Sequence, residues 1–179
     1  MKTVTLHGRT FVKSIDNATI VKAVENLAAK LSAELVGEEM PLFVGVLNGS
    51  FMFAAELLKN IECPCEVTFV RMNSYSGTSS TGKVESVISI KENVKGRSVI
   101  VLEDIVETGK TIYAIREQLI ENGAGNVRFA SLFFKPSLYK GNSDDFYRAM
   151  EIPDDFIVGF GLDYDGLGRN LKDVYAIKE

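Results

Sequence analysis

No stretch of the 179-residue sequence approaches the ~18 consecutive apolar residues that a membrane-spanning helix needs. The amino-terminal segment MKTVTLHGRTFVKS lacks the apolar core of a signal peptide, so the expected location is cytoplasmic, with no membrane partner. Basic runs are missing too. With 20 Lys and Arg against 24 Asp and Glu, the net charge of −4 disfavours a nucleic-acid partner held through its phosphates. There is one histidine, His7, and there are two cysteines, Cys63 and Cys65, in ECPCE. Residues two apart on a strand share a face, so a zinc pair is conceivable, but neither a second cysteine pair nor a nearby histidine completes a site. Reduced thiols near a strand start and a surface histidine are the plainer expectations. Prolines number only four and no linker divides the chain, whose length suits one domain with a substantial core.

The apolar residues that are present fall into two periods. Asp16 is placed to cap a helix in which Ile20, Val21, Val24, Leu27, Ala28, Leu31 and Leu35 form a stripe, ending near Gly37. LFVGVL (42–47) is a short apolar strand, followed by Asn48-Gly49-Ser50 and a helix over FMFAAELLKN. EVTFVRM (66–72), VIVL (99–102), NVRFASLFF (126–134) and DFIVGF (155–160) are further strands, and a helix after the third runs to about Asn122. Apolar strands alternating with helices predict an α/β fold with a mostly parallel sheet covered on both faces. Ligands of such sheets bind beyond the carboxyl ends of the strands, which singles out Leu47-Asn48-Gly49, residues 103–111 and Lys135. The segment NSYSGTSSTGK (73–83) is too polar to bury itself or to hold a helix. It reads either as a solvated hairpin connection or as a mobile lid.

In VIVLEDIVETGKT an apolar run meets Glu103 and Asp104, then Glu107 and the turn Thr108-Gly109-Lys110-Thr111. A triphosphate P-loop would need glycine five positions before Gly109, and that position is Asp104, whose charge would repel phosphate. The turn still suits a single phosphate, because backbone N–H groups and two hydroxyls open a helix there. The preceding acids suit another part of the same ligand: sugar hydroxyls, or a magnesium ion that carries further phosphates.

These residues resemble the phosphoribosyl pyrophosphate signature of type I phosphoribosyltransferases. LNGSFMFAAELL, VRMNSYSG, ASLFFKP and DFIVGFGLDYDGLGRNL extend the likeness, from about residue 10 onward, to the hypoxanthine (hypoxanthine-guanine) branch of the bacterial enzymes. The resemblance implies a single domain over residues 1–179, with a small hood from about 1–15 and 150–179 and a flexible lid loop. It implies transfer of the 5-phosphoribosyl group from phosphoribosyl pyrophosphate to hypoxanthine, and to guanine, giving IMP or GMP and pyrophosphate. A phosphoribosyl-pyrophosphate-binding regulator, or a transferase for xanthine or a pyrimidine, would share the signature.

Residue by residue, the resemblance implies that Glu103 and Asp104 bind the ribose hydroxyls, directly or through Mg²⁺. Thr108, Gly109, Lys110 and Thr111 would hold the 5′-phosphate. Glu107 stands where the family usually has aspartate and would accept the purine N7 proton. Lys135 would donate to O6 of the base, with Phe156 stacking on the purine and Ile157 offering backbone groups to its edge. Asp163, grouped with the purine residues, would hold a second Mg²⁺ on the pyrophosphate side, and Arg169 would clamp the pyrophosphate. Leu47, Asn48 and Gly49 match the pyrophosphate loop, where a non-proline cis peptide is implied and where the family often has lysine in place of Asn48. Ser74 and Tyr75 match the lid, and Arg71 before them would serve the pyrophosphate or a subunit contact. A homodimer or homotetramer is implied. The apolar faces of helix 16–36 and strand 66–72 could serve either core or interface.

Overall fold

The computed structural model describes residues 2–71, 90–142 and 146–178. Five strands, β3 (Leu42–Leu47), β4 (Glu66–Arg71), β5 (Ser98–Val106), β6 (Asn126–Phe134) and β7 (Tyr147–Glu151), form one sheet in the order β4-β3-β5-β6-β7. Every pairing in it is parallel. Helices α1 (Asn17–Glu34) and α2 (Phe51–Leu58) cover one face. Ile20, Val24, Leu27 and Leu31 of α1 and Phe53 and Leu57 of α2 pack there with Phe43, Ile100, Leu102 and Leu132 of the strands. Helix α3 (Lys110–Glu121) covers the other face, where Ile112, Ile115 and Leu119 meet Val44, Val99, Val101 and Phe129. Because both faces are dry, the central strands are apolar at successive positions, which is why they are visible in the sequence as unbroken runs.

Helix α1 starts where it does because Asp16 is extended and its carboxylate accepts from the Thr19 amide at 2.9 Å. A second, four-stranded antiparallel sheet draws on both parts of the chain that flank the parallel sheet. It comprises β1 (Thr3–Leu6), β2 (Arg9–Ile15), β9 (Val174–Ile177) and β8 (Ile157–Val158), in that order. Asp173, buried, joins the antiparallel sheet to α1 by accepting from the Asn17 amide at the start of that helix, at 2.9 Å.

Three expectations need correction. The strand expected over 99–102 continues to Val106, because its backbone stays paired to β6 as far as Val106↔Phe134. Glu103 and Asp104 therefore lie inside a strand rather than after it. The strand expected over 155–160 is only Ile157–Val158 and belongs to the antiparallel sheet. Positive φ angles at Gly159, Phe160 and Gly161 turn the chain out of it. The fifth parallel strand is instead β7, whose YRAME sequence carries little β-propensity and gave no signal.

Candidate active site

The carboxyl ends of β3, β5 and β6 bring three loops to one sheet edge. After β5 the chain turns through Gly109, whose φ of +79° is natural for glycine, into α3. No side chain caps that helix, so its first N–H groups remain available to an anion. Glu103, Thr108, Gly109 and Thr111 line a cavity of about 160 Å³ at this turn. A wider, more open depression of about 540 Å³ lies at the opposite, amino edge of the sheet, around Arg97 and Glu38. There Glu66 engages Arg97 and Glu38 engages Arg128.

The two neighbouring acids do not act as one pair. Strand alternation sends Glu103 to the α3 face, where it lines the cavity. It sends Asp104 to the opposite side, against Gly49, where a β-carbon on that glycine would overlap Asp104 Oδ2. Glu103 is 7% exposed and its Oε1 has no protein partner. Burial, and then the charge of Asp104, push its carboxyl well above the usual range. Burial likewise raises Asp104 to about 6, against the lowering effects of the Ile105 amide at 2.9 Å, its own amide and Arg169; Asp163 raises it further.

Glu107 and Lys135, 28 residues apart, meet directly. Lys135 Nζ donates to Glu107 Oε1 at 2.6 Å, with the lysine buried and the carboxylate half-exposed. The backbone supports this contact, since the Lys135 amide donates to the Val106 carbonyl at 3.0 Å. The peptide between Leu47 and Asn48 is cis, the geometry the resemblance implied. Asn48 Oδ1 accepts from Arg71 Nη2 at 2.9 Å, which brings a guanidinium to a loop whose own side chain is neutral. Gly49 is wedged between Asp104 and Gly161, where a β-carbon would overlap the Gly49 carbonyl oxygen.

Arg169 closes this side. Its Nη1 donates to the Gly161 carbonyl at 2.7 Å and its Nη2 pairs with Asp163 Oδ1 at 2.6 Å, while Asp163 Oδ2 accepts from the Gly166 amide at 2.7 Å. Phe156 is half-exposed at the edge of the antiparallel sheet, with Phe11 and Tyr164 at ring-centroid distances of 6.3 and 5.7 Å. Ile157 beside it is opposite Ala176 in β9. Ser74 and Tyr75 lie outside the described residues. Among the described residues no three His, Cys, Asp or Glu side chains converge on a point that could hold a metal ion. Both cysteines are free and half-buried, and burial raises the Cys65 thiol.

The sequence gives no hint of Tyr139, whose ring packs on Gly109, or of the Arg71–Asn48 bond. Each contact joins residues more than 20 apart through a loop of unremarkable composition.

Residues 12–165 match the family described as the phosphoribosyl transferase domain. The chain belongs to that family. A hypoxanthine-guanine phosphoribosyltransferase of Streptococcus agalactiae serotype V is 43% identical over 161 residues, which are 89% of this chain and 89% of that protein. One from Lactococcus lactis subsp. lactis is 37% identical over 165 residues, covering 92% and 89%. Among solved structures, a hypoxanthine phosphoribosyltransferase of Staphylococcus aureus superposes with a TM-score of 0.84 at 33% identity, covering 93% of this phosphoribosyl transferase chain and 90% of that one. Among the described residues no helix is long and apolar enough to cross a membrane.

Proposed function

We propose that this phosphoribosyl transferase serves purine salvage, moving the 5-phosphoribosyl group from phosphoribosyl pyrophosphate to hypoxanthine or guanine. The observation that carries the reading is the meeting of two half-sites at one sheet edge. The glycine turn and orphaned Glu103 carboxyl suit a sugar phosphate, and the buried Lys135 with Glu107 suits a 6-oxopurine. In the reaction the bond from ribose C1′ to pyrophosphate breaks and a bond to a purine ring nitrogen forms, while the base loses a proton. The N–H groups and hydroxyls of Thr108–Thr111 hold the 5′-phosphate, and Glu103 and Asp104 address the ribose side. An entering base separates Lys135 from Glu107: the ammonium donates to O6 and the carboxylate takes the N7 proton. Leu47–Gly49, with Arg71 and Arg169, form the pyrophosphate side; Ser74 and Tyr75, outside the described residues, are assigned to it by the resemblance alone. Phe156 and Ile157, in a hood made of the antiparallel sheet, flank the base.

Magnesium fits these residues as an ion that the substrate brings. Magnesium is held by one or two carboxylates plus substrate phosphates rather than by an all-protein cage, and Glu103 has a buried oxygen with no other partner. Glu103 or Asp104, which face opposite sides of β5, would hold one such ion, and Asp163 would hold a second. When bound, it neutralises charge developing on the leaving pyrophosphate. A second copy of this chain is the expected protein partner, in a homodimer or homotetramer. Val67 and Phe69 support this, being 43% and 44% exposed on the edge strand β4.

The test is to incubate the protein with magnesium, phosphoribosyl pyrophosphate and, separately, hypoxanthine, guanine, xanthine, adenine or uracil. Nucleotide from the 6-oxopurines and not from adenine or uracil is the expected result. No nucleotide from any base overturns the reading.

A further inference from the structure

Joining two substrates requires a fixed distance between the place that holds the phosphate and the place that holds the base. The phosphate turn stands at the start of α3 and the base-side lysine at the end of β6. Tyr139, in the loop after β6, touches the elements that carry both. A β-carbon on Gly109 would overlap Tyr139 Cε2 and lie 3.2 Å from its Cδ2 and 3.4 Å from Tyr113 Cε2, so both rings lie against the turn's backbone. The hydroxyls of Tyr113 and Tyr139 share a hydrogen bond of 3.0 Å. Gly141 closes over them, since a β-carbon there would overlap the Tyr113 hydroxyl and come within 2.7 Å of that of Tyr139.

On its other side the Tyr139 ring meets Phe134 and Phe146 edge-on, each with a centroid distance of 5.3 Å and interplanar angles of 74° and 75°. Those two phenylalanines meet each other at 5.0 Å and 76°. Phe134 directly precedes Lys135 and is buried within β6. The ring is therefore held from the sheet side by a firm aromatic cluster and bears on the phosphate turn from outside it.

We infer that Tyr139 is a positioning residue that sets the phosphate turn at Gly109 relative to the base-side residues at the end of β6. The inference rests on the phosphoribosyl-transfer reading, to which it adds a residue that touches neither substrate. Truncating the ring frees the turn but leaves Lys135, which is anchored by β6 itself. The effect therefore falls on the sugar phosphate and spares the base.

The experiment compares full-length parent, Tyr139→Ala, Tyr139→Leu and Tyr139→Phe. It measures steady-state constants for phosphoribosyl pyrophosphate and hypoxanthine, and calorimetric titration with ribose 5-phosphate. In Tyr139→Ala the Kd for ribose 5-phosphate and the KM for phosphoribosyl pyrophosphate should rise about 10-fold, and kcat/KM should fall about 100-fold. The KM for hypoxanthine should stay within about twofold, and Tyr139→Phe, which keeps the ring on Gly109, should restore the sugar-phosphate constants. If the alanine variant does not fold, the leucine variant carries the same expectation. A fall in Tm with sugar-phosphate constants within about twofold of the parent overturns the inference, because a purely structural role would do only that. If the parent forms no nucleotide yet binds ribose 5-phosphate more tightly than Tyr139→Ala, the transfer reading fails and the positioning role stands.

Discussion

Asp104 is costly to the fold in a way that its position explains. Packed on the Gly49 backbone, its carboxyl keeps a proton up to about pH 6, whereas in the unfolded chain it loses that proton near 3.8. The folded state therefore binds more protons between those values, so stability falls as pH rises through that window and the deficit is full above it. Replacing Asp104 with Asn should raise stability at pH 8, in chelator, by up to about 3 kcal/mol, with the gain disappearing below about pH 4. Urea denaturation at the two pH values checks this; a variant less stable than the parent at pH 8 would contradict it. Glu107 raises a different question, since its side chain spans to Lys135. Glu107→Gln should lower kcat by roughly 10²–10⁴ if it takes the proton, and near-normal turnover would remove it from that role.

At the scale of elements, the cis-peptide loop after β3 is packed so closely that it has no room for a side chain at Gly49, with Asp104 on one side and Gly161 on the other. Gly49→Ala should therefore displace both neighbours, costing about 1–3 kcal/mol in stability, and should impair turnover more than binding of a free purine. Thermal melts and equilibrium dialysis with hypoxanthine separate the two effects. The same scale shows what the sequence made legible. Strands β3, β5 and β6 announced themselves because both faces are buried, and the turn from Glu103 to Thr111 did so because its residues are contiguous. Strands β1, β2, β7 and β9 did not, being short, half-exposed or polar. The divergence of Glu103 from Asp104 follows from strand alternation, but only once β5 is seen to run past them. The Lys135–Glu107, Arg71–Asn48 and Tyr139–Gly109 contacts depend on how loops from different strands converge, and no local pattern encodes that.

At the scale of the whole molecule, the described residues of one edge strand carry exposed apolar side chains. Strand β4 ends the parallel sheet on one side and presents Val67 and Phe69 to solvent, and Phe51 at the start of α2 is 41% exposed. Sedimentation should find a dimer or tetramer, and Val67→Glu should shift it toward monomer with little change in the protomer's far-ultraviolet circular dichroism. A Val67→Glu protein with unchanged sedimentation would place the interface elsewhere.

The order of strands in the smaller sheet has a consequence for how the protein comes into being. Strand β9 lies between β2 and β8, so the backbone pairing that ties the segment bearing Phe156 and Ile157 to β2 runs through residues 174–177, with the Phe11–Phe156 ring contact added to it. All five parallel strands precede it in the chain. During synthesis the sheet and its phosphate turn can therefore assemble while the last strand is still inside the ribosome, and the nascent chain would recognise a sugar phosphate before it could enclose a base. A stop codon before Val174 would freeze that order, leaving half of a two-substrate site.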